Sequence, residues 1–434
     1  MNIMRQLSQF VMLGAKAHAQ WEVDTSQRII RDPKRLAILG LLCLPIMLLG
    51  VAYAEEIAGA LPKVIGDKTA YTPAFYTPTI FFASIGVGIC AGLITGCIGA
   101  GGGFIIAPAL MSAGVKGILA VGTDLFHIFA KAIMGSVLHR KMGNISVGLA
   151  LWFIFGSMGG ATLGGWINRA LYDANPVLSD AFITSIYVFM LGFLSFYSLM
   201  DFFKARKAAA AVAQKSEEEQ KKFKAGTLTG FAQKLQAMNI PPMIRFDETV
   251  VPGGRQISAW FLVLSGAFVG LAAAIMGVGG GFLTFPIFVY TLGVSSATTV
   301  GTDIFQIIFT AGYAGLGQYA IYGFIFYTLA MGMLLGSLVG IQVGSLVTKV
   351  VPGQTICGFY ATAVMAGFIN RAFALPIKLS KMGFIPLAPE TGKLLENLGI
   401  YAFFVVISTF SLWVFWTFFS NLGTLKGHGK EAHA

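Results

Sequence analysis

The sequence predicts an all-α polytopic membrane protein: two inverted-topology repeats, broken or re-entrant helices at glycine-rich motifs, and about 10–12 membrane segments. Three observations predict it. The first is composition: 56% of the 434 residues are hydrophobic and only 11% are charged, against about 25% charged in a soluble domain. A soluble fold of this size would lack the charge to cover its surface, and a disordered chain would lack this apolar content. The second is that the apolar residues come in long runs without period-2 alternation, which suits helices and excludes barrel strands. The third is that the chain repeats itself at an offset of 178 to 180 residues.

A helix crosses a bilayer in about 20 apolar residues. With that ruler, segments fall at 36–55, 79–98, 104–114 (short), 117–138, 146–170 and 178–203. After the polar interval 204–255 come 257–276, 282–292 (short), 297–320, 324–348, 354–376 and 398–420. The organisation that follows has five parts. Residues 1–78 hold a cytoplasmic segment, a first span and an external loop, and 79–203 are repeat A. Residues 204–256 are a basic cytoplasmic loop, 257–376 repeat B, and 377–434 a final span and tail. The 36–55 segment ends Ala52-Tyr53-Ala54 before Glu55. It reads either as a retained anchor, which its long charged lead favours, or as a cleaved signal peptide.

The net charge is +11, from 30 Lys+Arg against 19 Asp+Glu. The excess lies in loops: six basic residues in 1–35, ten in 204–255, and Arg140-Lys141. With cytoplasmic termini, and with each short segment paired as a hairpin with its predecessor, all three regions fall on one side. A multi-pass protein of a bacterial cytoplasmic (inner) membrane is expected, and the charge calls for no nucleic acid. Lys378 and Lys381 fall on the opposite side. Cys43, Cys90, Cys97 and Cys357 lie in apolar stretches without metal-ligand spacing, so neither a disulfide framework nor a metal site is indicated.

The repeat is visible residue by residue. Gly99, Gly101, Gly102, Gly103, Phe104 and Pro108 recur as Gly277, Gly279, Gly280, Gly281, Phe282 and Pro286. Val121-Gly122-Thr123-Asp124 recurs as Val300-Gly301-Thr302-Asp303, and Gly156-Ser157, Gly160 and Gly164 as Gly336-Ser337, Gly340 and Gly344. Each copy has five segments, an odd number, so the first begins outside and the second inside. Inverted repeats of this kind are found in secondary transporters.

Four features bear on chemistry. Four glycines in five residues cannot hold a continuous helix, since each costs about 1 kcal/mol relative to Ala. The runs predict broken helices whose second halves begin near Phe104 and Phe282, leaving free N–H groups and a positive dipole end at membrane depth, a ready anion site. The plainer reading is close helix packing. Asp124, His127 and Lys131 share one helical face, and so do their equivalents Asp303, Gln306 and Thr310, with Thr123 and Thr302 adjoining. Ionisable residues in a span normally mark an ion or substrate path; a structural Asp–Lys lock is the alternative. Arg371 follows Asn370 near a segment end, where it either binds an oxyanion or snorkels to the surface. The Gly156/Gly160/Gly164 and Gly336/Gly340/Gly344 series are packing seams. The first part of the interval 204–255 reads as a solvated helix extending from the membrane and broken at Pro241-Pro242; the interval is expected to be a linker between the repeats, with regulation or partner docking as the alternative. No nucleotide signature is present.

At these residues the chain resembles the TauE/SafE family of bacterial membrane proteins. The duplicated glycine runs, the paired Val-Gly-Thr segments and the glycine-rich helices after them carry the likeness, over about 79–203 and 257–376. The resemblance implies secondary transport of small sulfur-containing anions: sulfite, sulfate, thiosulfate or organosulfonate. The Asp after each Val-Gly-Thr departs from the family pattern and favours proton or cation coupling.

The expectation is therefore a transporter rather than an enzyme, with no cofactor and no metal. Its substrate-binding candidates are Gly101, Gly102, Gly103, Phe104, Thr123, His127, Lys131, Gly279, Gly280, Gly281, Phe282, Thr302, Gln306 and Arg371. Asp124 and Asp303 are the coupling candidates. The partners are a small anion, a coupling proton or cation, and the lipid bilayer; a homo-oligomer is compatible. A passive anion channel and a membrane subunit of a larger complex are the alternatives.

Overall fold

A computed structural model of the chain describes residues 78–98, 102–141, 145–212, 230–247, 254–347, 350–351 and 353–421. The 36–55 segment and Gly101 lie outside them. Repeat A runs α1 (Pro78–Ile98), α2 (Gly103–Ser112), α3 (Gly117–Lys141), α4 (Val147–Ala174) and α5 (Pro176–Val212). Within the central interval come α6 (Gly230–Ala237) and an antiparallel hairpin, β1 (Met243–Phe246) with β2 (Arg255–Ser258). Repeat B runs α7 (Ala259–Met276), α8 (Gly281–Pro286) continued by a π turn over Ile287–Leu292, and α9 (Ser296–Gly312) continued by irregular turns to Tyr322. It closes with α10 (Tyr327–Val347) and α11 (Gly353–Lys381), and α12 (Pro389–Ser420) follows.

Among the described residues, α1, α4, α5, α7, α10 and α12 are long and apolar enough to cross a membrane. Large apolar side chains such as Phe155 (66% exposed), Phe189 (72%) and Trp416 (75%) point outward, as a lipid-facing surface requires. The other segments read from the sequence are present as helices but differ in kind. α2 and α8 are too short to span. α3 carries Asp124, His127 and Lys131, which lower its hydropathy and turn to the interior. α11 and α12 overrun the expected spans, to Lys381 and back to Pro389. Their polar turns continue the helix beyond the apolar stretch.

The tightest packing joins the two halves. α4 lies along α7, and α10 along α1. Gly156, Gly160 and Gly164 face the Val263, Ala267 and Leu271 carbonyls; Gly336, Gly340 and Gly344 face those of Ile85, Ile89 and Leu93. Partner numbers rise together in both pairs, so each pair runs parallel. Only glycine lets the backbones approach this closely, which is why both seams recur in the sequence. The exchange is reciprocal: α1 and α7 hold equivalent places in their halves, and so do α4 and α10. α3 against α9 and α5 against α11 pair like with like. Thr123 Oγ1 accepts from the Phe326 N–H at the start of α10 (2.9 Å), and Thr302 Oγ1 from the Ser146 N–H at the start of α4 (3.0 Å). Each half thus caps a helix of the other.

Both short helices end in turns held by an aspartate. Asp180 accepts from Gly117 N–H (2.8 Å) and from Lys378 Nζ (2.9 Å). Asp247, buried and at φ 57, accepts from the Ser295 N–H and Oγ (2.8 Å each) and lies 3.8 Å from Arg255. Aspartate tolerates this left-handed backbone because its side chain bonds locally. Arg255 also donates to Gly293 O (2.7 Å) and Gln236 to Leu292 O (2.7 Å). Part of the central interval is therefore a hairpin clasped onto repeat B. Propensity did not announce it, because its two strands are only four residues each.

Two adjacent glycines test the seam. A methyl at Gly160 would strike the Ala267 carbonyl and lie 2.7 Å from Leu271 N, whereas one at Gly159 meets nothing within 4 Å. Gly160→Ala is expected to destabilise by about 1–3 kcal/mol through overpacking. Gly159→Ala is expected to be neutral or to stabilise by up to about 1 kcal/mol. Thermal unfolding in detergent, side by side, reads the difference.

Candidate functional site

Both glycine runs break their helices. Gly102 (φ 68) precedes α2, and Gly277 (φ 79), Gly279 (φ 67) and Gly280 (φ 88) separate α7 from α8. The second halves begin at Gly103 and Gly281, one residue before the expected Phe104 and Phe282. Neither start has a side-chain cap; Ile105 N–H turns back to Gly102 O (3.1 Å), and Leu283 and Thr284 N–H to Gly280 O (2.9 Å each), so the amide ends of both short helices point inward. Left-handed φ at Gly102 and Gly280 makes glycine the residue suited to these two positions.

The two breaks meet. A Cβ on Gly103 would lie 2.9 Å from Val278 Cα and 3.1 Å from Asp124 Oδ2. One on Gly277 would lie 2.7 Å from Val121 Cα, and one on Gly279 2.8 Å from Ile128 Cγ2. Val121, Asp124 and Ile128 form one stripe of α3, and both breaks rest on it.

Asp124, His127 and Lys131 are buried together. His127 Nε2 is 2.7 Å from Ser337 Oγ, and Ser337 donates its single hydroxyl proton to Gly88 O (3.1 Å). With the Ser337 proton on Gly88 O, the imidazole carries its hydrogen on Nε2 and presents Nδ1 to Asp124 Oδ1 at 3.7 Å. Neither Asp124 oxygen nor His127 Nδ1 has a side-chain hydrogen-bond partner among the described residues; the Ala107 backbone in α2 lies beside the Asp124 carboxylate. Two buried acceptors facing each other repel; one proton between them removes the conflict. Lys131 Nζ donates to Thr95 Oγ1 (3.1 Å), and the same oxygen is 2.9 Å from where a Gly102 Cβ would stand. The start of α2 thus has a carboxylate on one side and an ammonium on the other.

Repeat B is built differently at the equivalent positions. Asp303 Oδ1 accepts from Gln306 Nε2 (2.9 Å), Gln306 Oε1 accepts from Thr310 (2.7 Å), and Thr310 meets Ser157 Oγ (2.7 Å). Ser157 and Ser337 are equivalents, and each joins its polar cluster to a helix of the other half. The carbonyls at the end of α7 are also met by neutral donors. Asn168 reaches Ala274 O (3.3 Å) and Ile275 O (3.1 Å), Tyr319 reaches Ala274 O (2.5 Å), and Tyr187 reaches Met276 O.

The remaining candidates lie as follows. Thr123 and Thr302 cap α10 and α4. Phe104 is buried edge-on against Tyr360, with centroids 5.5 Å apart. The Phe282 side chain, like Gly101, lies outside the described residues. Arg371 is well inside α11 and buried, not at a segment end. It stands at the far end of α2 from Gly103, donating to Pro108 O (3.3 Å), Ser112 Oγ (2.8 Å) and Asn370 Oδ1 (2.7 Å from Nε). A cation there complements the carboxyl end of α2. Arg255 plays the same part for the π turn of repeat B. Sequence reasoning missed Thr95, Ser157, Ser337 and Asn168. The matched Gly-Ser pairs at 156–157 and 336–337 were a signal for two of them. Among the described residues, no three His, Cys, Asp or Glu side chains gather as a metal site.

A helical bundle with apolar outer faces, interrupted helices and ionisable groups at its centre defines a membrane transporter. The family model described as "Sulfite exporter TauE/SafE" matches residues 84–371. The chain belongs to the TauE/SafE family. Its relatives include three Bacillus subtilis (strain 168) proteins. "Probable membrane transporter protein YjnA" is 24% identical over 60% of this chain and 87% of its own length. YunE, of the same description, is 22% identical over 64% and 91%. YdhB, likewise so described, is 25% identical over 64% and 95%. No solved structure matches the chain.

The placement of Arg371 has a measurable consequence. Arg371→Ala leaves Pro108 O and Asn370 Oδ1 without this buried donor, and is expected to cost about 1–3 kcal/mol or more. The melting temperature in detergent should fall while any anion-induced rise in melting temperature persists. Loss of that rise at an unchanged melting temperature would instead place Arg371 at a ligand.

Proposed function

We propose that this protein is a secondary transporter of small sulfur-containing anions, such as sulfite, sulfate, thiosulfate or an organosulfonate, coupled to a proton or cation across a bacterial cytoplasmic membrane. The observation that carries the reading is the start of α2, an amide end without a side-chain cap, set between the Lys131 ammonium and the Asp124–His127 pair. An oxyanion at that helix start gains the dipole end and the ammonium together. It would also meet the negative charge of Asp124. A proton held between Asp124 and His127 Nδ1 removes that repulsion, so anion and proton favour the same state of the site. That linkage is what coupling requires: each ligand raises the affinity for the other.

The halves divide the work unequally in this reading. Repeat A holds the ammonium of Lys131 beside the Asp124–His127 pair, and so the anion. Repeat B presents Asp303 in a neutral network of Gln306, Thr310 and Ser157, a second place for a coupling ion. The Val278–Gly279 backbone of the second break borders the site from the other side. Reciprocal packing of α1 with α10 and α4 with α7 supports an inverted relation between the halves, and rocking one against the other would expose the site alternately. The basic central interval supports a cytoplasmic placement for it.

Asp124→Asn tests the coupling. In proteoliposomes loaded with sulfite, the wild type should move anion in response to a pH gradient. The Asn variant should retain sulfite exchange at equal pH but lose its response to the gradient. An Asn variant still driven by the gradient contradicts the assignment of Asp124, and no sulfite, sulfate or sulfonate flux in the wild type contradicts the substrate class.

A further inference from the structure

α5 is 37 residues long and runs toward the central interval, so its first turn lies on the opposite face of the bundle. There the turn before α3, the start of α5 and the end of α11 enclose a half-open cavity of about 110 Å³. Its walls are Lys116, Pro176, Val177, Asp180, Lys378 and Lys381. This is the face on which Lys378 and Lys381 stood against the distribution of basic residues in the rest of the chain. One of them is explained by the fold: Asp180 holds Lys378 with one oxygen and the Gly117 N–H with the other. Both oxygens of the acid are thereby committed. Lys116 and Lys381 then leave the cavity with two positive charges beyond the neutralised pair.

The cavity is small. A site for a drug-sized ligand occupies about 300–1,000 Å³, whereas this one suits a small oxyanion with its waters. It also sits at the outer end of the helix that carries the interior polar face. Lys116 immediately precedes α3, and Thr123 follows seven residues later, about 10 Å along that helix at about 1.5 Å per residue. Asp124 is the next residue. A positively lined mouth at this distance raises the local concentration of an anion before it enters.

We propose that this cavity is a docking site for a small oxyanion, which loads the transporter from the face opposite the central interval. Lys116 and Lys381 supply the charge, and the Asp180–Lys378 pair shapes the wall. The ligand class is taken from the anion-transport reading above; the site itself is a separate claim with a separate readout.

The test uses the full chain in lipid nanodiscs, with sulfate as probe and lysine acetylation followed by mass spectrometry. Sulfate should slow the acetylation of Lys116 and Lys381 by about three- to tenfold, while chloride at equal ionic strength should not. In oriented proteoliposomes, the Lys116→Gln/Lys381→Gln double variant should raise the KM for sulfite presented on that face by about three- to tenfold. Its kcat, and its KM from the opposite face, should stay unchanged, and the double Arg variant should restore the wild-type KM. Equal acetylation in sulfate, sulfite and chloride overturns the docking site whether or not the protein moves anions. Protection by sulfate without any flux would support the docking site and sink the transport reading, so the two failures are distinct. Should the Gln variant fail to fold, protection in the wild type still decides.

Discussion

A helix that stops inside a bilayer leaves backbone groups with nothing to bond, and everything distinctive in this protein follows from how that constraint is met. Two helices are interrupted, before Gly103 and after Met276, where glycines in left-handed conformation turn the chain. Irregular backbone survives at membrane depth only when protein or a wet cavity surrounds it. Here each break is surrounded by the other, with α3 beneath both. The carbonyl end at Met276 is met by Asn168, Tyr187 and Tyr319, all neutral donors. At Gly103 the amide end faces charged side chains instead.

The rest of the bundle positions this junction. The glycine seams bring α4 onto α7 and α10 onto α1, so that each half is held by the other rather than by itself. Ser157 and Ser337 sit on those seams and reach across to the polar clusters. Thr123 and Thr302 cap opposite helices. At the far ends of the short helices, Arg371 and Arg255 meet carbonyls, and Asp180 and Asp247 hold the turns that follow. The same few contacts recur with exchanged partners, so each half is braced against the other.

Much of this was legible in the sequence, and for physical reasons. Long apolar runs specify helices, four glycines in five residues specify a break, and the repeat specified that there would be two. The shared face of Asp124, His127 and Lys131 followed from helical spacing alone. Other features were not legible. Small-residue spacing announces a close approach but not the partner, so the reciprocal seams required the fold. Arg371 looked like a group at a helix end because the apolar stretch stops near it, yet α11 continues through polar turns to Lys381. The hairpin over Met243–Ser258 is held by Asp247 and Arg255 reaching into repeat B, long-range contacts that no local pattern encodes.

The account rests on the start of α2 being an anion site shared with the second break. An experimental structure of the protein in lipid, with selenate as an anomalous scatterer, tests it most directly. The account predicts a selenium peak within hydrogen-bonding reach of the first amides of α2 and of Lys131, with Gly103 and Val278 in contact. Continuous helices through Gly102 and Gly280, or a bound selenate remote from both breaks, would contradict it.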